Sequence, residues 1–217
     1  MIKKKLKENA NKIDKFLINF LNKQKKSLLV KPMKYGVISG GKKIRSTIIF
    51  DTGKLFNLNE KKLINICAAV ECIHSYSLIH DDLPCMDNDK MRRGKPSTHI
   101  KFGEASAVLA GSSLLTLAFE IIADKKYFLK SKNKNEIVRS LASCSGHTGI
   151  AGGQELDLKF ENKKKKLTQI LDMQRKKTGK LFSFCLQSVA VIANKNKNDI
   201  SIFGKLGEEI GLLFQLA

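Results

Sequence analysis

Apolar residues recur at helical spacing along most of the chain, and no stretch alternates for long enough to predict a strand. Over residues 3–23, Leu6, Ala10, Ile13, Leu17 and Phe20 or Leu21 form one stripe, with lysine on the opposite face. That pattern predicts a helix packed at the edge of a bundle. Its modest apolar face, and Glu8 and Asp14 within the basic one, weigh against a helix lying on a membrane. Pro32, Gly36, Gly40 and Gly41 predict a loop, followed by a helix from Ile44 to about Phe56. Residues 60–83 predict a strong helix carrying Leu63, Ile64, Cys67, Ala68, Val70, Glu71, His74, Leu78 and Asp81. Helices are also predicted over 103–128, 134–151, 168–194 and 199–217. The first of these is dense in small residues (Ala105, Ala107, Ala110, Gly111, Ser112, Ala118), which suits a tightly crossed helix or a subunit interface. The second ends in Gly146, Gly149, Gly152 and Gly153, a break beyond which Gln154 and Asp157 follow. The fold class predicted is all-α.

Composition narrows the function classes. A length of 217 residues suits one domain spanning 1–217. The net charge of +20 suggests nucleic acid or an anionic membrane, yet only five of the 40 basic residues are arginine. The lysines are scattered from end to end among Asn and Ile, as on solvated faces, so neither partner is expected. Cys67, Cys72, Cys85, Cys144 and Cys185 form no CxxC pair and leave one over, which points to free thiols in a reducing compartment. The N-terminus lacks the apolar core of a signal peptide, and the uncharged run Ala105–Phe119 is too short and too mild to span a bilayer. A cytoplasmic protein without a membrane span is expected.

Chemistry concentrates in two places. From Asp81 to Asp89 the chain has four acids, Asp81, Asp82, Asp87 and Asp89, followed directly by Arg92, Arg93 and Lys95. Carboxylates hold Mg2+, and guanidinium groups take the phosphate oxygens that the metal leaves exposed. In an unbroken helix, residues 81 and 87 would point apart, at about 100° per residue. Pro84 ends or distorts the helix near Leu83 and lets Asp87 return toward Asp81. The second place is Gly40-Gly41-Lys42-Lys43-Ile44-Arg45-Ser46. Its glycines allow close backbone approach to a ligand, and Lys42 and Arg45, three apart at a helix start, point at one anion. His74 lies two turns before Asp81 on the same helical face.

Taken together these segments resemble the trans-polyprenyl diphosphate synthases, most closely the bacterial-type farnesyl diphosphate synthases. Gly40–Ser46 is similar to the family's GGKRxRP loop, with Lys43 and Ser46 replacing its second basic residue and its proline. Asp81–Asp87 resembles the first aspartate-rich motif, Met91–Pro96 its RRGxP tail, Gly153–Leu158 the GQxxDL segment and Lys177-Thr178-Gly179 the KTG segment. The resemblance implies an isoprenoid-synthase-type helical bundle around a central cavity. It implies that Asp81 and Asp87, aided by Asp82, hold Mg2+ at the diphosphate of an allylic substrate, which Arg92 also contacts. It gives Lys42, Arg45, His74 and Arg93 to the diphosphate of isopentenyl diphosphate, and sets Lys177, Thr178 and Gln215 near the allylic group. The implied reaction is ionisation of the allylic diphosphate, attack by the second substrate's double bond and proton loss. Tyr76, with small Ser77 beside it, resembles the floor that stops product growth near fifteen carbons. A homodimer through the helix at 103–128 is expected.

The chain departs from the family in one large respect. The second aspartate-rich motif, DDxxD, follows a Phe-Gln pair in the family, whereas this sequence ends Phe214-Gln215-Leu216-Ala217. A bundle missing its C-terminal helices, with impaired or no activity alone, is therefore expected. The alternatives are a geranylgeranyl diphosphate synthase, a non-catalytic partner subunit of a complete synthase, and a basic nucleic-acid or membrane binder. Terpene cyclases share an aspartate-rich helix, but the Gly40–Arg45 loop for a second diphosphate speaks against them.

Overall fold

The computed structural model describes residues 2–24, 27–38 and 40–216; Ala217, the end of the last predicted helix, lies outside them. The chain packs as two compact units: Met1–Thr47 with Ile64–Asp124, and Ile48–Leu63 with Lys125–Ala217.

The first unit is built on α4 (Ile64–Asp81), preceded by α1 (Ile2–Asn22), α2 (Val30–Val37) and the first turn of α3 (Ile44–Leu55). Between Lys62 and Asp81 the only charged residue is Glu71, and α4 is buried on nearly every side, as a helix apolar all round must be. It pairs with α6 (Glu104–Ala123), which presents Ala107, Ala110, Gly111, Leu114, Leu117, Ala118, Ile121 and Ile122 along one face. The small residues set the spacing. A Cβ on Gly111 would lie 2.3 Å from Nε2 of His80. α1 turns Ile13, Leu17 and Leu21 fully inward. Each such side chain is worth about 1.5–3 kcal/mol, against under about 1 kcal/mol for an exposed lysine pair, so the apolar stripe holds this helix in place.

Two local expectations fail in this unit for physical reasons. Residues 30–37, expected as loop, form α2: Pro32 falls in its first turn, where the missing N–H costs nothing. Gly36 there serves packing, since a Cβ would sit 2.4 Å from Cδ1 of Ile79. A short antiparallel hairpin, β1 (Met91–Arg92) and β2 (Lys95–Pro96), appears where no strand was expected. Arg93 and Gly94 take φ of 53° and 73° at its turn, the sign that two-residue hairpins favour. A short helix, α5 (Thr98–Phe102), links it to α6. Among the described residues α6 is the one helix long and apolar enough by length and composition to cross a membrane. Its apolar face, however, is taken up by α4.

The second unit contains α7 (Ser131–Ser145), α8 (Ile150–Phe160), α9 (Leu167–Gln174), a π-helical turn at Arg175–Gly179, α10 (Lys180–Ile192) and α11 (Lys197–Leu216). The predicted 134–151 helix is two helices. They break at Gly146–Gly149, while Gly152 and Gly153, expected in the break, lie inside α8. α11 crosses α10 on Gly204, Gly207 and Gly211, a stripe the sequence reading did not single out. A Cβ on Gly207 would lie 2.5 Å from the Phe182 carbonyl oxygen and 2.6 Å from the Ser183 Cα. Backbone cannot rotate away from such a clash. Gly207→Ala is therefore expected to destabilise the protein by about 1–3 kcal/mol. Leu206→Ala, at a neighbouring residue that is 50% exposed, is expected to cost under about 0.5 kcal/mol. Thermal melts of the two variants check this.

Candidate active site

In the first unit, α4 ends at Asp81, two residues earlier than expected, and the chain then doubles back. Leu83 N–H donates to the His80 carbonyl at 3.1 Å, and Met86 N–H to the Leu83 carbonyl at 2.9 Å. Asp87 N–H then donates to the Asp81 carbonyl at 2.9 Å. Pro84 supplies no N–H inside this turn, which is why it is tolerated there. The closure brings residues 81 and 87 together through the backbone, Asp81 half-buried and Asp87 exposed.

Asp82, expected to aid them as a ligand, is engaged by Arg92. It is 3% exposed and accepts from Nε of Arg92 at 2.9 Å and from the same guanidinium's Nη2. Arg92 also donates to Asp89 at 3.0 Å. The hydrogen bond to Asp82, with the charges of Asp82, Asp89 and Asp81, raises Arg92 above its usual value against the effect of burial, so it stays cationic. Asp82 thus orients Arg92 at the hairpin.

Arg93, on the hairpin turn, reaches the glycine loop. Its Nη1 donates to the Gly40 carbonyl, and a Cβ on Gly41 would lie 2.7 Å from the same nitrogen. Gly40 and Gly41 have φ of 88° and 119°, so glycine is required at both. Lys42 is exposed on this loop, and Arg45 lies half-buried in the first turn of α3. Desolvation holds the half-buried His74 imidazole well below its ordinary value of 6.5, and the charges of Arg45, Arg93, Lys43 and Arg92 push it the same way. His74 is therefore a neutral ring among cations, a field that favours a polyanion.

Tyr76 stands half-buried on α4, edge-on to His80 at 5.3 Å between ring centroids. Burial, and then the nearby Asp81 charge, raise its phenol pKa. Ser77 turns its hydroxyl back to the His74 carbonyl at 3.0 Å.

The second unit gathers the other expected residues by itself. The π-helical turn carries Lys177 and Thr178, and such turns recur at functional sites. Lys177 Nζ pairs with the Asp157 carboxylate of α8. Thr178 Oγ1 donates to Oε1 of Gln215 at 3.1 Å. Gly153 of α8 lets the helices meet, since a Cβ there would lie 2.2 Å from the Lys177 amide nitrogen.

The residues that sequence reasoning missed are Lys43, Ser46 and Asp14 around Glu71. Glu71 was visible only as a single acid in an otherwise uncharged helix. Lys43 Nζ donates to the Val37 carbonyl at 2.6 Å and lies 3.6 Å from both Asp14 and Glu71. Ser46 Oγ donates to Glu71 Oε1 at 2.7 Å.

Among the described residues no three His, Cys, Asp or Glu side chains form a metal-holding group. That is compatible with Mg2+, which keeps several waters and uses one or two carboxylates plus substrate phosphates rather than a protein cage. Asp81 and Asp87 fit this donor set.

The sequence profile described as "Polyprenyl synthetase" matches residues 26–217. Farnesyl diphosphate synthase of Escherichia coli (strain K12) is 43% identical over 190 residues, covering 87% of this chain and 64% of that protein. The Bacillus subtilis (strain 168) farnesyl diphosphate synthase is 41% identical over 189 residues, covering 87% and 64%. The chain thus spans 64% of the length of these relatives. An FPP/GFPP synthase from Zymomonas mobilis superposes with a TM-score of 0.93 at 40% identity, covering 99% of this chain and 78% of that one. A geranyltransferase from Legionella pneumophila gives 0.92 at 34% identity, covering 99% and 77%.

Because the folded His74 pKa is depressed, folded protein binds fewer protons than unfolded protein just below pH 6.5. This residue's contribution to stability is complete above that pH and is lost as pH falls toward the folded value. NMR titration is expected to show His74 neutral at pH 6.5, with its pKa rising when inorganic diphosphate is added.

Proposed function

The chain belongs to the polyprenyl synthetase family, and on that premise we propose that it is a prenyltransferase. It would bind an allylic diphosphate and isopentenyl diphosphate and join them in isoprenoid biosynthesis, with farnesyl diphosphate as the product. Its fold is the all-α isoprenoid-synthase fold. The observation that carries the reading is the hydrogen bond from the Asp87 amide to the Asp81 carbonyl, because it sets two carboxylates on one turn beside Arg92.

Asp81 and Asp87 would hold Mg2+ at the allylic diphosphate, and Arg92, oriented by Asp82, would take its remaining oxygens. The bound metal supplies charge neutralisation of the departing diphosphate. Lys42, Arg45, Arg93 and neutral His74 would bind the second diphosphate, His74 by donating one N–H hydrogen bond. Lys177, Thr178 and Gln215 are assigned to the allylic group, with Asp157 orienting Lys177. The two anions would be held by fixed donors in place of water, which favours charge separation as the carbon–oxygen bond breaks. Tyr76 would limit the length of the chain that fits. The reading includes a homodimer through α6, supported by its exposed residues Val108 and Leu109, and a place in the cytoplasm.

Binding reads each site separately from turnover. Addition of Mg2+ is expected to tighten geranyl diphosphate binding to the native chain. Asp81→Asn and Asp87→Asn are each expected to weaken it by about 30-fold or more, consistent with about 2 kcal/mol or more for one partner of a charge pair. Isothermal titration calorimetry measures this, and Mg2+-independent binding unaffected by both variants would contradict it. With Tyr76→Ala, the preference for geranyl over geranylgeranyl diphosphate is expected to shrink. An unchanged ratio of affinities would remove Tyr76 as the length limit.

A further inference from the structure

Lys43 is 6% exposed, the most deeply buried of the loop's basic residues, and it points away from the solvent that Lys42 faces. A lysine ammonium is strongly hydrated, and burying one is unfavourable unless its donors and charge are met inside. Here they are met by three groups. The Val37 carbonyl accepts at 2.6 Å, and the Asp14 and Glu71 carboxylates lie at 3.6 Å each. Glu71 is itself 3% exposed and receives the Ser46 hydroxyl at 2.7 Å on its other oxygen. Through Asp14 and Glu71, Lys43 joins α1, the loop and α4, and Asn9 of α1 also donates to Thr47 of α3 at 3.2 Å.

The backbone needs such an anchor. Lys43 has φ of 45°, a left-handed conformation that a long L-residue adopts only when its surroundings over-determine it. Gly40 and Gly41 on the other side have positive φ as well. Arg93 clasps this segment from the hairpin through the Gly40 carbonyl. The loop is therefore held at both ends, inwardly by Lys43 and outwardly by Arg93. Lys43 and Ser46 are also the two positions at which this chain departs from the GGKRxRP pattern, and both meet the same carboxylate. Arginine offers a two-pronged fork to a carboxylate and lysine a single point, so the serine hydroxyl supplies the second contact.

We propose that Lys43 is a positioning residue. Its buried contacts with Asp14 and Glu71, completed by Ser46, fix the Gly40–Arg45 loop and so present Lys42 and Arg45 to the diphosphate of isopentenyl diphosphate. The presentation rests on the function proposed above; the loop's dependence on Lys43 does not.

The test uses the full chain with Lys43→Met, Lys43→Arg and the charge-balanced Lys43→Met/Glu71→Gln double variant, which keeps the experiment informative should the single methionine variant not fold. Hydrogen exchange at residues 40–46, compared with α4, is expected to quicken by about tenfold or more in the double variant, the scale of a lost local constraint. Affinity for isopentenyl diphosphate is expected to fall by about tenfold, while that for geranyl diphosphate with Mg2+ stays within about twofold, and Lys43→Arg is expected to regain most of the loss. A purely structural role would weaken both ligands together and would not be rescued selectively. Loop exchange and isopentenyl diphosphate affinity both unchanged in the double variant would overturn the proposal. If the native chain bound neither diphosphate, the functional reading would fall, and the exchange comparison would still decide whether Lys43 holds the loop.

Discussion

A single buried acid governs the first unit. Glu71 sits in the middle of α4, a helix that α6 requires to be apolar, and it cannot remain there charged and unpaired without a large desolvation penalty. Lys43 and Ser46 are drawn inward to meet it, and Asp14 of α1 comes with them. Burial pushes the Asp14 carboxyl up from its ordinary value, with the Lys43 charge opposing, so the group is a shared and crowded one rather than a simple pair. Such an arrangement adds little net stability over an apolar substitute of the same volume. What it provides is a fixed place for a glycine loop that would otherwise have many conformations.

The other end of α4 is governed by its termination. Helical continuation past Asp81 would carry Asp87 to the opposite face, and the reversal around Pro84 prevents it. The same reversal delivers the chain to the hairpin, whose two arginines then separate. Arg92 turns to Asp82 and Asp89, and Arg93 turns to Gly40. Adjacent residues on a strand end and a turn face different partners, so one short segment carries two guanidinium groups held in different places. His74 lies on α4 between the two ends. Desolvation and four cations keep it neutral, so it adds a hydrogen-bond donor without adding another charge.

Much of this was legible in the sequence. α1 and α11 followed from apolar spacing, and α4 from the length of its nearly uncharged apolar run. Pro84 marked a break near Leu83, and α4 ends two residues sooner, at Asp81. Less legible were features that depend on a partner far along the chain. Gly36 read as a loop residue until Ile79 is seen against it. Pro32 looked like a break because its place in a first turn depends on where that helix begins. Lys43 stood out only as a replacement for the second basic residue of the loop motif; its positive φ and its distances to Asp14 and Glu71 distinguish its role from that of Lys42. Asp82 was placed with Asp81 and Asp87 by the family resemblance, and its burial against Arg92 could not be read from the sequence.

We propose that this chain carries two distinct diphosphate-binding sets, one dependent on carboxylates and metal and one on the glycine loop. Competition calorimetry tests it most directly. Isopentenyl diphosphate is titrated into the chain alone, then into the chain saturated with geranyl diphosphate and Mg2+. One equivalent of isopentenyl diphosphate is expected to bind in both cases, with an affinity that does not require Mg2+. Displacement of one ligand by the other would contradict it, because the arginines would then be serving a single anion.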